Sequence, residues 1–160
     1  MSTLYVDNLE PNLGSRVMAA GHVVQVVEAS QKSTVSVSAS SSDTIILTCN
    51  ITPTSSSSKI LVSFHLTMTA VDNRGAAYGD AGYARVMRDG STEVCKSSVN
   101  VINNGDVRSR GNLSSAILDA PNTTSSIAYT LQVKGQEASF DGVEVMSDST
   151  AVLLIQEIAQ

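Results

Sequence analysis

The chain predicts an all-β fold, an antiparallel β-sandwich of jelly-roll type, and three observations carry that prediction. From Lys59 to Thr69 apolar and polar residues alternate strictly, with Ile60, Val62, Phe64, Leu66 and Met68 on one side. The other side carries Leu61, Ser63, His65, Thr67 and Thr69, the period of two expected of a half-buried strand. About nine or ten such segments recur along the chain with turn chemistry between them. No window of about 11 residues holds a helical stripe, and frequent Ser, Thr, Val and Ile favour strand over helix.

Taken in order, the segments begin with Leu4-Tyr5-Val6-Asp7-Asn8-Leu9, closed by Glu10-Pro11-Asn12 and Gly14. A short strand with a proline turn at a terminus reads as an arm that pairs with a neighbour or an assembly, the alternative being an edge strand of the same sheet. Residues 1–20 are therefore expected to form an N-terminal attachment arm carrying Leu4, Tyr5, Val6 and Leu9, with residues 21–160 as the sandwich domain. Val23 to Ala29 is apolar on both faces and predicts a central strand. Thr34 to Ala39 alternates Val and Ser. Thr44 to Ile51 is expected to point Ile45, Leu47, Cys49 and Ile51 inward. The turn before Lys59 is a run of four serines, Ser55 to Ser58.

Asp89-Gly90 between two strand-like runs predicts a hairpin with a type I′ turn, whose positive φ angles suit that pair. Leu113 to Asp119 and Ser125 to Lys134 follow, the latter with Ile127, Tyr129, Leu131 and Val133 on one face. A short strand is expected to end near Phe140, with a turn at Asp141-Gly142. Thr150 to Ile158, apolar on both faces, predicts a central closing strand. Two glycine-containing stretches, residues 72–80 and 103–111, read as loops. Their contact candidates are Arg74, Tyr78, Tyr83 and Arg108, residue types suited to a binding hot spot.

Composition sets the outer bounds. The chain has 160 residues, 42% hydrophobic, but only 4% aromatic with no Trp, so the core must come from aliphatic residues. Charged residues make up 16%, against about 25% in an ordinary soluble domain. Ser and Thr take their place, which suits strand faces that lie against copies of the same chain. The net charge of −5 argues against nucleic acid and anionic membranes as partners. Residues 1–20 lack the features of a signal peptide, which predicts synthesis in a cytosol. Cys49 and Cys95 are expected to be buried small apolar groups, with a disulfide the alternative if their strands face each other.

No catalytic constellation emerges. His22 and His65 are isolated, and there is no nucleophile elbow, phosphate-cradling loop or metal-ligand spacing. Asp72 with Asp80, and Asp141 with Glu144 and Asp148, sit where turns favour Asp. The expectation is therefore no catalytic residue, no cofactor and no metal.

Several segments recur in a fixed order. They are Gly21-His22-Val23-Val24-Gln25-Val26-Val27, Ile51-Thr52-Pro53 with its serine run into Lys59-Ile60-Leu61-Val62, and Arg85-Val86-Met87-Arg88-Asp89-Gly90. Tyr129-Thr130-Leu131-Gln132-Val133 and Val152-Leu153-Leu154-Ile155-Gln156-Glu157-Ile158 complete the series. The series, with Ser2 to Leu9 before it, resembles small tail-fibre-like or decoration proteins of tailed bacteriophages, marine and cyanobacterial ones especially. The resemblance implies a non-enzymatic structural protein of the virion, usually a homotrimer, made in the host bacterial cytoplasm. Its implied partners are further copies of itself and other virion proteins of the capsid or tail.

The absence of a shaft repeat favours a capsid decoration or cement protein, or a short fibre. The alternative is a receptor-binding tail fibre, whose further partner would be a host surface receptor. A rival from another class is a secreted immunoglobulin-like module with Cys49 and Cys95 as its bridge, although no Trp lies between them.

Overall fold

A computed structural model describes residues 20–38, 42–72, 78–102, 107–135, 142–145 and 148–160. Their regular structure is strand throughout: β1 (Val23–Gln31), β2 (Val35–Ser38), β3 (Thr44–Ile51), β4 (Lys59–Asp72), β5 (Tyr78–Arg88), β6 (Thr92–Ile102), β7 (Val107–Asp119), β8 (Ile127–Gly135), β9 (Gly142–Val145) and β10 (Ala151–Ile158). The arm residues Leu4, Tyr5, Val6 and Leu9, and the strand expected to end near Phe140, lie outside the described residues.

All pairs are antiparallel. One sheet runs β1-β10-β4-β9-β2, with β7 on the other side of β4, and the second runs β3-β8-β5-β6. In the first sheet β10 and β9 share one edge of β4, pairing with residues 59–65 and 68–71 in turn. Beyond them β1 pairs with β10 and β2 with β9. The pairs β1–β2 and β9–β10 thus act as two interrupted strands, and the molecule has eight columns.

Numbered along the chain, the columns pair first with eighth, second with seventh, third with sixth and fourth with fifth. That nesting is one long antiparallel hairpin rolled on itself. It is the jelly roll expected from the sequence, and rolling leaves its two sheets face to face.

Between the sheets lies an aliphatic core. Ile60, Val62, Phe64, Leu66 and Met68 from β4 meet Ile127, Tyr129, Leu131 and Val133 from β8, each no more than 4% exposed. Val37, Leu47, Cys49, Ile51, Val86, Val143, Leu153 and Ile155 are among the others that join it. The alternation in β4 and β8 is realised residue by residue, because each strand buries only one face.

The turn at Asp89-Gly90 is as expected: φ is 49° and 68° at its two central residues, and Ser91 N–H donates to the Arg88 carbonyl at 3.1 Å. β10 lies between β1 and β4, the central position its sequence predicts.

Three expectations are corrected. β1 is an edge strand, not a central one. Its second apolar face carries Val26, which is 54% exposed, so apolar residues on both sides did not mean burial on both sides. Ile45 points outward at 57% exposed, while Leu47, Cys49 and Ile51 point in. A bulge between Ile45 and Leu47 inserts one residue and flips everything before it to the other face. In the stretches 72–80 and 103–111 the described residues, 72, 78–80 and 107–111, are strand and not loop: β4 runs to Asp72, β5 starts at Tyr78, β6 ends at Ile102 and β7 starts at Val107.

Cys49 and Cys95 are buried free thiols. They sit on β3 and β6, the two opposite edges of one sheet. Three inter-strand steps, about 14 Å, separate those edges, twice what a disulfide can span. The immunoglobulin-like alternative therefore loses its bridge.

Candidate functional site

The rolled topology gives the sandwich two distinct ends. At the near end are Ala20–His22, the serine turn, the Asp89-Gly90 hairpin, residues 120–126 and the C-terminus. At the far end the strands flanking residues 73–77 and 103–106 stop together, with Tyr78 paired to Ile102 and Asp72 to Val107.

Two inward carboxylates close the near end. Gln25, Glu157, Ile60 and Asp119 form one register row across all four columns of the first sheet. Glu157 is 0% exposed. It accepts hydrogen bonds from Gln25 Nε2 at 2.6 Å and from Thr54 N–H and Oγ1 at 2.8 Å each. Burial opposes its ionisation, but the bonds from Gln25, Ser58 and Thr54 prevail and hold the carboxyl below its ordinary range.

The serine run is thereby explained. Ser58 N–H donates to the Ser55 carbonyl at 3.2 Å, Ser57 N–H donates to Ser55 Oγ at 3.2 Å, and the tightened turn presents Thr54 and Ser58 to the carboxylate. At the other edge of the row, both Asp119 oxygens accept from Arg88 Nη1 at 2.7 Å. Asp119 also accepts from the buried Tyr129 hydroxyl at 2.8 Å and from Ala120 N–H at 2.9 Å. Arg88 belongs to one sheet and Asp119 to the other, so this pair ties the two sheets together. Nothing in the sequence marks Glu157 or Asp119 as inward, since each lies at a strand end where polar residues are ordinary.

The outer faces of the two sheets differ in chemistry. On the second sheet Arg85 donates to Asp43 at 2.7 Å and to Glu93 at 3.1 Å, and the Tyr83 hydroxyl donates to Asp43 at 3.2 Å. Lys96 Nζ sits 3.9 Å above the Tyr83 ring centroid. Burial and the Asp43 carboxylate push the Tyr83 phenol up, so it stays a neutral donor. Tyr83 is thus not a loop contact: it lies within β5 and is 7% exposed beneath its charged neighbours.

The first sheet is uncharged over much of its outer face. There the row Val26, Gln156, Leu61, Leu118 crosses all four columns. Val26 and Leu118 are 54% and 52% exposed. His65 is exposed on the same face, between Val152 and Ser114.

Of the other contact candidates, Arg74 lies outside the described residues, Tyr78 opens β5 and Arg108 pairs with Val71 in β7. The topology brings Tyr78 and Arg108 to the far end and leaves Tyr83 down the strand from them. Among the described residues no group of three or more His, Cys, Asp and Glu could hold a metal ion.

No family model matches the chain, and no curated protein does. Among solved structures it is similar to the infectious bursal disease virus Gx strain structure, at 12% identity and a TM-score of 0.44, over 98% of this chain and 36% of that one. It is similar also to the infectious bursal disease virus VP2 subviral particle, at 13% identity and a TM-score of 0.45, over 98% of this chain and 37% of that one. The chain thus spans little more than a third of the length of these two proteins. At that identity and superposition neither fold nor function is carried across, and the fold assignment rests on the strand pairing itself.

Proposed function

We propose that this protein is a non-enzymatic structural component of a tailed-bacteriophage particle, a homotrimer attached by its N-terminal arm and displayed as a capsid decoration, cement or short-fibre protein. The single observation that carries the reading is the polarity of the sandwich. The chain enters at one end, where Gly21 N–H donates to the Ala159 carbonyl at 2.7 Å and Ala159 N–H donates to the His22 carbonyl at 2.9 Å. The strands flanking residues 73–77 and 103–106 end at the other. A rigid β-scaffold between an anchored end and a presented end is what a displayed module requires. The bacteriophage assignment comes from the ordered sequence resemblance, and the likeness to viral structures is not its basis.

The sparsely charged outer face of the first sheet supports association between copies, since solvated sheet faces ordinarily carry more charge. A receptor-binding fibre is the second reading, favoured by the placement of Tyr78 and Arg108 together at the far end.

Sedimentation equilibrium tests the assembly. The native mass should be about three times 16.7 kDa. Mass spectrometry of purified particles tests the location, and the protein should appear there in multiple copies. Its absence from particles would sink the virion reading whatever the native mass.

A further inference from the structure

The outer face of the first sheet holds a mainly apolar strip at its near end. Val26, Leu61 and Leu118 share one register row with Gln156 between Val26 and Leu61, and Leu154 lies in the next row away from the near end. Val23 and Ile158 are paired on the other side of the strip, Val23 being 41% exposed. Within this strip the charged groups are Glu28 and Lys59 alone among the described residues. The second sheet spends its outer face on the Asp43–Arg85–Glu93 network instead. Val26 and Leu118 are exposed at the strip's two edges, while Leu61, Leu154 and Ile158 are half-buried between them. Apolar side chains grouped on one face in this way mark a surface that another chain covers.

We propose that the occupant is the N-terminal segment, residues 1–19, of a neighbouring copy, so that the arm attaches each copy to the next; the proposal rests on the multi-copy assembly above. The argument is one of position and reach. The pairing of Gly21 and His22 with Ala159 holds the point where the segment joins the domain beside Val23 and Ile158, at the rim of the strip. Extended, residues 1–19 span about 60 Å, against about 14 Å across the four columns. The segment is also chemically matched. Leu4, Tyr5, Val6 and Leu9 supply apolar side chains, and Asp7 is the single charge from Leu4 to Leu9. A segment with one charge from Leu4 to Leu9 on a strip with two, Glu28 and Lys59, loses little by desolvation. Copies held side by side on a particle present each arm to its neighbour at high effective concentration, so exchange of arms needs little intrinsic affinity.

The test is photo-cross-linking in the full-length chain. A benzophenone amino acid replaces exposed Leu118, and unlabelled and ¹⁵N-labelled chains are refolded together. The expected product joins residue 118 to a peptide from residues 1–19, with about half of the products joining chains of different isotope. Products of one isotope only mean that the arm covers its own chain and overturn the proposal. So do a cross-link to any other segment and a failure to cross-link. A second variant, V26S/L118S, changes two exposed positions and should lower the native mass to that of a monomer with an unchanged circular dichroism spectrum. An undiminished mass in that variant would overturn this assignment while leaving the virion reading standing. Absence of the protein from particles would do the reverse.

Discussion

Glu157 is the residue on which the near end depends. It is a fully buried carboxylate with four donors, so its removal leaves donors without acceptors instead of merely deleting a contact. Glu157→Ala should cost about 2–4 kcal/mol, read from the urea midpoint. The pH dependence has a definite sign. Because the folded carboxyl is held below its ordinary value of 4.5, its contribution is complete above that pH and is lost as pH falls through the lower folded value. Stability measured between neutrality and pH 3 should therefore fall steeply below about pH 4.5, and Glu157→Gln should flatten that part of the curve. An unchanged slope would show that Glu157 does not carry the acid sensitivity. Asp119 is the companion case. Asp119→Ala strands both Arg88 and the buried Tyr129 hydroxyl and should cost about 2–4 kcal/mol, whereas Tyr129→Phe should cost about 1 kcal/mol. Thermal unfolding of the two variants separates them.

At the scale of elements, the interrupted strands set the shape of the first sheet. Gly142 opens β9 with φ of +151°, and a Cβ there would lie 2.2 Å from the Val37 carbonyl oxygen. The approach is to backbone, which cannot rotate away as a side chain can. Gly142→Ala should separate β2 from β9 and cost more than about 2 kcal/mol. Hydrogen exchange should show faster amides at residues 35–38 and 142–145 while β4 and β8 stay protected, and uniform exchange would contradict this. The bulge in β3 makes a paired prediction. Ile45→Ser should change stability by less than about 0.5 kcal/mol, because Ile45 faces solvent. Leu47→Ala, two residues on and buried, should cost about 2–4 kcal/mol. Equal costs would mean that the strand keeps a single register throughout.

For the whole molecule, the rolled hairpin separates groups that the sequence spaces suggestively. Cys49 and Cys95 end on opposite edges of one sheet, and burial pushes both thiols up, beyond their ordinary value of 9.0. Both should resist a thiol reagent in the native protein and react as two free thiols once it is unfolded. Oxidation should yield no intramolecular bridge, and a bridge found by peptide mapping would contradict the strand order. The same roll sets the entering chain and the strands around residues 73–77 and 103–106 at opposite ends, which is the geometry an attached and displayed module uses.

The sequence by itself determined that the chain is built of strands, which side of β4 and β8 enters the core, and where the Asp89-Gly90 hairpin turns. Each of those depends on neighbours along the chain: a period of two, or a pair of residues that tolerates positive φ. Tertiary structure alone decided that β1 lies at an edge, that Ile45 faces out, that Tyr83 is buried under Lys96, and that Glu157 and Asp119 turn inward. It also decided that Cys49 and Cys95 stand apart. Strand order, bulges and the pairing of distant columns depend on contacts between residues far apart in sequence, and alternation reads the same whether a strand is central or at an edge. For that reason the apolar second face of Val23 to Ala29 reads as burial in the sequence and is an exposed face on an edge strand in the fold.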